Sequence, residues 1–147
     1  MEAFRFSRTP RIVFGTRTVE TCGRVVREFG NKVLLVRGQS SLDEAIARIG
    51  DQLTGLGCSV CSVSNAGEPS PESVDGAVDQ FRDCGIDVVL AVGGGSVLDA
   101  GKAISAMLAH EGSVVEYLEG VGTRTHDGRK IPFVAVPTTA GTGSEAT

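Results

Sequence analysis

One stretch constrains this chain more than any other: Val88–Val92 runs without a break into Gly93, Gly94, Gly95 and Ser96. Five consecutive apolar residues read as a strand buried on both faces, the kind found in parallel sheets covered by helices on each side. Val97, Ala100, Ile104 and Met107 follow at helical spacing, so the glycines form a strand-to-helix turn with the helix beginning at Ser96. In open α/β sheets, ligands sit beyond the carboxyl ends of strands. Glycines let the backbone come close to an anion. The first N–H groups of a helix lack intrahelical partners, and the helix dipole favours negative charge there. Together these features make a phosphate site. The pattern is neither a G-x-G-x-x-G fingerprint nor a Walker A loop, and a turn that only packs helix against strand would also use glycine. Asp99, three residues after Ser96, reads as a capping partner for the Ser96 N–H rather than as a catalytic acid. A carboxylate facing a pyrophosphate would repel it. Lys102 either offsets charge at that turn or lies on the solvated face.

The same alternation runs through the rest of the chain. Arg11–Phe14 is a short β-branched and aromatic run closed by Gly15. Val19, Cys22, Val25, Val26 and Phe29 recur at helical spacing, with Gly30 placed as a left-handed cap. Val33–Val36 is a second continuous apolar strand. Ser41 and Glu44 form a capping box ahead of a helix with Leu42, Ala45, Ile46, Ile49 and Leu53 on one face. Cys58–Val63 is the next strand. Ser70 and Pro71 suit the N-cap and first position of a helix whose apolar stripe is Val74, Ala77, Val78 and Phe81. Thr123–Lys130 is polar and turn-like, and Phe133–Val136 is a last strand stopped by Pro137. Strands separated by single helices predict βαβ units and an α/β, doubly wound parallel sheet. No internal repeat or composition shift marks a second domain within residues 1–147, so a single unit is expected.

A net charge of −4 argues against a nucleic-acid surface, which needs a basic patch. No run of about 18 apolar residues is present, and the N-terminus lacks the apolar core of a secretory signal. The cytoplasm is therefore the expected location. Cys58 and Cys61 have CxxC spacing but lie in a strand, where residues three apart face opposite sides. Neither a shared metal nor a disulfide is expected, and the thiols read as buried apolar groups. His110 and His126, the two histidines, show no acidic partner in a chelating pattern. His110 closes a helix, where a basic side chain suits the dipole, and neither is expected to hold a metal.

The second chemical feature is FVAVPTTAGTGSEAT. Thr138, Thr139, Thr142, Ser144 and Thr147 crowd around Gly141 and Gly143. Hydroxyls both donate and accept hydrogen bonds, which suits ribose and phosphate oxygens. Taken alone, the segment could equally be a solvated loop.

The pair GGGSVLDAGKAIS and PTTAGTGSEAT resembles the iron-containing (group III) alcohol dehydrogenase family. The likeness extends to PRIVFG, to the EPSP turn at Glu68–Pro71 and to YLEG at Tyr117–Gly120. It implies a Rossmann-like N-terminal domain that binds a nicotinamide dinucleotide, here residues 1–147. It also implies a C-terminal helical domain whose Asp and three His hold a divalent iron, sometimes zinc. By position, Gly94, Gly95 and Ser96 would hold the pyrophosphate, while Thr138, Thr139, Thr142 and Ser144 would line the cofactor. Asp99 and Lys102 match the family's GGGSxxDxxK pattern. Where several members carry a ribose-binding Asp, this chain has Gly38, flanked by Arg37, Gln39 and Ser40. Loss of the carboxylate next to an Arg favours NADP(H), or dual use, over strict NAD. Ser70 stands where the family often has an Asn near the cofactor.

The family's metal ligands lie beyond Thr147, so the sequence reads as cut before the helical metal-binding domain. The expectation is a chain that binds dinucleotide but is inactive alone, with apolar surface left uncovered and prone to aggregate. The intact enzyme would exchange hydride between a small alcohol or carbonyl compound and NAD(P), with room for a homo-oligomer and no nucleic-acid or membrane partner. Glycerol dehydrogenases, maleylacetate reductases and dehydroquinate synthases share the GGG turn and are the alternative chemistry. A stand-alone dinucleotide-binding module is the non-catalytic one.

Overall fold

Four parallel strands in the order β2-β1-β3-β4 make one sheet. In chain order, the 3-10 turn Thr18–Thr21 leads into α1 (Cys22–Arg27), β1 (Lys32–Arg37), α2 (Asp43–Gly55) and β2 (Ser59–Ser64). These are followed by α3 (Pro71–Phe81), β3 (Val88–Gly93), α4 (Gly95–Met107) and β4 (Phe133–Pro137). The computed structural model describes residues 10–38 and 43–147. Ser41, the capping half of the Ser41–Glu44 box, and Leu42 lie outside these residues, while Glu44 pairs with Arg48. No helix among the described residues is long and apolar enough to cross a membrane.

The period of two in each central strand explains both layers. Leu34, Val36, Val89 and Ala91 point to one face, where Val74, Val78, Phe81, Leu98, Ile104 and Met107 cover them. Val33, Leu35, Val88, Leu90 and Val92 point to the other, against Cys22, Val26, Ile49 and Leu53. Thus α3 and α4 close one side and α1 and α2 the other, which is the doubly wound arrangement the alternation predicts. Cys61 packs on the first side and Cys58 on the second, as strand geometry requires. Of the four free thiols only Cys22 is buried, its pKa pushed up to about 11 by burial; Cys58 and Cys61 are half-buried and Cys84 is exposed. They are therefore not uniformly buried groups.

Ser70 caps α3 as expected: its hydroxyl accepts the Ser73 N–H at 3.2 Å, and the Ser73 hydroxyl accepts the Ser70 N–H at 3.0 Å. Two local expectations need correction. Arg11–Phe14 pairs with none of the four strands, and Phe14 is 96% exposed. Gly30 does not cap α1, which ends at Arg27; its φ of 150° lies outside the left-handed helical region. A Cβ at Gly30 would overlap Asp87. That absent side chain lets the Asp87 carboxylate accept the Asn31 and Lys32 N–H groups at 2.9 Å each, tying β1 to the start of β3.

The two amide donors, that of Lys32 foremost, hold the Asp87 carboxyl below the ordinary carboxylate range. A depressed folded-state pKa stabilises the fold above the unfolded value of about 4 and loses that contribution as pH falls through the folded value. Stability should therefore decline below about pH 5, and Asp87→Ala should flatten the decline. Urea unfolding midpoints measured from neutral to acid pH check this, and an equal slope in the variant would refute the assignment.

Candidate functional site

The strand order places β1 and β3 side by side, although α2, β2 and α3 separate them in sequence. From β1 the chain turns off to one face through α2, and from β3 it turns to the other through α4. A crevice opens between the two exits, beyond the strands' carboxyl ends. A cleft of about 270 Å³ lies there, lined by Gly38 after β1, Asn65 after β2, Gly94 and Ser96 after β3, and Thr138 and Thr139 after β4. A slightly larger depression of about 320 Å³, between α3 and Glu111–Ser113, has no strand end at it.

Gly94, not Ser96, is the N-cap of α4, and Gly95 is its first helical residue. No side chain caps the helix, so its leading N–H groups face outward without a covalently built-in acceptor. This corrects the reading of Asp99 as a cap. The Asp99 carboxylate instead accepts the Ser144 hydroxyl at 3.1 Å and pairs with Lys102 Nζ at 3.0 Å. The ammonium of Lys102, which also reaches the Thr147 hydroxyl, offsets the negative charge close to the helix start.

The β3–β4 ladder positions the hydroxyl loop. Gly93 is in register with Pro137, and the Thr138 N–H donates to the Gly93 carbonyl at 2.9 Å, so the loop leaves the sheet directly over the glycine turn. A Cβ on Gly94 would lie 3.4 Å from Thr139 Oγ1. One on Gly95 would come within 3.1 Å of Thr142 and 3.2 Å of Ser144 Oγ. The expected site residues therefore form two groups. Gly38, Gly94, Ser96, Thr138 and Thr139 line the cleft together. Thr142 and Ser144 pack behind Gly95, with Ser144 buried and its N–H donating to Thr142 Oγ1 at 3.3 Å.

Sequence reasoning missed Asn65. Its N–H extends the β1–β2 ladder to the Arg37 carbonyl at 2.8 Å. Its side-chain amide donates to the Gly67 carbonyl at 2.7 Å and reaches the Ser96 carbonyl at 3.4 Å, bracing the β2 exit against the first turn of α4. The one available signal was its place just after a parallel strand. The histidines, read as having no acidic partner in a chelating pattern, do have one: His110, His126 and Asp127 come together at the other end of α4.

The family model described as iron-containing alcohol dehydrogenase matches residues 9–147. A probable alcohol dehydrogenase, EutG, of Escherichia coli (strain K12) is 37% identical over 97% of this chain and 36% of its own length. The crystal structure of an NADH-dependent butanol dehydrogenase A from Thermotoga maritima superposes with a TM-score of 0.89 at 31% identity, covering 99% of this chain and 37% of that one. A sulfoacetaldehyde reductase from Bifidobacterium kashiwanohense, solved in complex with NAD+, superposes with a TM-score of 0.82 at 25% identity, covering 100% of this chain and 39% of that one. The chain thus spans little more than a third of the length of these relatives.

Proposed function

The chain belongs to the iron-containing alcohol dehydrogenase family, and from that premise we propose that residues 1–147 act as the nicotinamide dinucleotide-binding unit of an alcohol dehydrogenase. The observation that carries the reading is the cleft at the β1/β3 exits, where an uncapped helix N-terminus meets a hydroxyl loop. The dinucleotide's pyrophosphate sits against the N–H groups of Gly95 and Ser96, with Gly94 leaving room for its approach. Thr138 and Thr139 face the ribose and nicotinamide side, where their hydroxyls serve as donor or acceptor. Thr142 and Ser144 hold the loop in place, Ser144 through Asp99. When bound, the nicotinamide supplies the hydride acceptor or donor for an alcohol–carbonyl interconversion.

Gly38 puts no side chain into the cleft, and Arg37 precedes it at the end of β1. With glycine rather than a carboxylate at position 38, that residue does not repel a 2′-phosphate on the adenosine ribose, and the guanidinium of Arg37, next to it in sequence, would attract one. The reading therefore extends to NADP(H), alone or alongside NAD(H).

The iron implied by the family's description does not fit this chain's donors. The chain has two histidines, and both lie in the cluster at the far end of α4 from the cleft. They cannot form the set of one Asp and three His that the resemblance implies, so no step is assigned to a metal here.

Fluorescence titration of the purified chain with NADPH and with NADH tests both levels of the proposal. Saturable binding with NADPH the tighter ligand is expected. A preference for NADH would overturn the Gly38 argument and leave the site. No binding of either, by a chain shown to be folded, would overturn the assignment of the unit.

A further inference from the structure

We propose that His110, His126 and Asp127 form a binding site for a borderline divalent transition cation such as Zn2+, separate from the dinucleotide cleft. α4 begins at the cleft and runs back along the sheet for 13 residues, or about 20 Å at 1.5 Å per residue. His110 lies three residues past its end, so the cluster is at the opposite, amino-terminal edge of the sheet. One ligating atom from each of the three side chains lies within 4.8 Å of the other two.

The hydrogen bonds of His110 carry the argument. Its Nδ1 lies 2.9 Å from the Ala106 carbonyl, and its Nε2 lies 2.8 Å from an Asp127 carboxylate oxygen. Both partners can only accept. Arg129 donates to both Asp127 oxygens, its backbone N–H to the oxygen that faces His110 at 2.9 Å and its Nε to the other. A neutral His110 that donates Nδ1–H to the carbonyl presents a bare lone pair to an anionic oxygen. The arrangement calls for a positive centre between the two, a proton or a metal ion.

The third residue distinguishes these. The His126 ring lies against His110 with centroids 4.2 Å apart, and Tyr117 packs edge-on to His110 at 5.4 Å. His126 Nδ1 accepts the Gly128 N–H at 2.9 Å; a metal ion that takes this ring as a third ligand replaces that hydrogen bond, whereas a proton between His110 and Asp127 leaves it intact. The Ala106 carbonyl fixes the His110 tautomer that leaves Nε2 free to ligate, the usual outer-shell arrangement at zinc-bound histidines. Two imidazoles and a carboxylate suit Zn2+ or Co2+ and disfavour Ca2+ and Mg2+, which take oxygen ligands. His110 is buried, whereas His126 and Asp127 are exposed, leaving the fourth position to water. Arg129 opposes the ion: its Nε holds the other Asp127 oxygen at 2.6 Å. An occupied site would clamp the 123–130 turn to the end of α4, next to the Ser105–Ile131 hydrogen bonds that lead into β4.

The test is titration of the purified chain with Zn2+ alone by calorimetry and with Co2+ alone by visible absorption. One ion per chain is expected, with cobalt d–d bands, no thiolate charge-transfer band and a rise in the thermal midpoint. His126→Ala and Asp127→Asn, both at exposed positions, should each weaken binding at least about tenfold. Arg129→Ala should tighten it, an outcome that a purely structural cluster would not produce. Cys84→Ser should leave it unchanged. No saturable binding, a thiolate signature, or affinity undiminished in both ligand variants would overturn the proposal.

Discussion

Replacing Gly94 with valine is expected to lower dinucleotide affinity at least about hundredfold, a loss of about 2.7 kcal/mol, while leaving the chain folded. Gly94 is the N-cap of α4, is half-buried and lines the cleft. Its backbone is extended, with φ −76° and ψ −176°, so a side chain introduces no backbone strain. The first added carbon meets Thr139 Oγ1 at an ordinary 3.4 Å, so Gly94→Ala should fold normally. Valine adds two further carbons on the cleft side, where a phosphate must approach the helix N–H groups. Hydrogen bonds from backbone amides to a charged phosphate contribute about 1.5–3 kcal/mol each, so losing two is enough for the stated effect. Fluorescence titration with NADPH and NADH, alongside a thermal melt, checks it. Undiminished affinity in a folded Gly94→Val protein would remove the phosphate from this turn. Gly95→Val is the less specific probe, because its Cβ pushes first on Thr142 and Ser144 and so moves the loop as well.

Gly101→Val should produce the largest loss of stability, about 3 kcal/mol, at the upper end of what overpacking a core costs. Gly101 is buried in the middle of α4 where the helix crosses β3 and β4. A Cβ there would stand 2.8 Å from the Ala91 Cβ and 2.9 Å from the Phe133 ring, closer than van der Waals contact allows. Neither neighbour can retreat easily: Ala91 is buried on the central strand β3, and the Phe133 ring lies beneath the helix. Relief therefore requires α4 to rise off the sheet, which loosens Leu98 and Ile104 along with the helix that follows the glycine turn. For a domain of this size the melting midpoint should drop by roughly 10 °C. Differential scanning fluorimetry against Gly101→Ala, with a smaller drop expected, measures it. A midpoint unchanged in the valine variant would mean that the helix does not sit this close to the strands.

Much of the fold was legible because its signals are local. The unbroken apolar runs of β1 and β3 required helices on both faces, and the Ser70–Pro71 pair marked the start of α3 to the residue. The glycine turn and the hydroxyl loop were recognisable for the same reason: each is a short segment whose residue types suit one task. Asp99 shows where that reasoning fails. Its spacing from Ser96 matches a capping box, but the helix starts earlier, at Gly95, and Ser144, 45 residues away, takes its carboxylate instead. Local propensity offered one partner and tertiary packing supplied another. Asn65 was unreadable for a related reason, since a polar residue after a strand gains meaning only when its neighbours across the sheet are known.

Periodicity, capping and turn chemistry act within a few residues, so from Cys22 onward the alternation of helix and strand, the parallel sheet, the glycine turn and the hydroxyl loop were readable in the sequence. The strand order β2-β1-β3-β4 came only from packing. That order depends on which apolar faces bury one another across dozens of residues, and no local pattern encodes it. It brings Gly38 beside Gly94 and Thr138 to form one cleft. At the far end of α4, the same packing folds the 123–130 turn back onto the helix and sets His126 and Asp127 against His110.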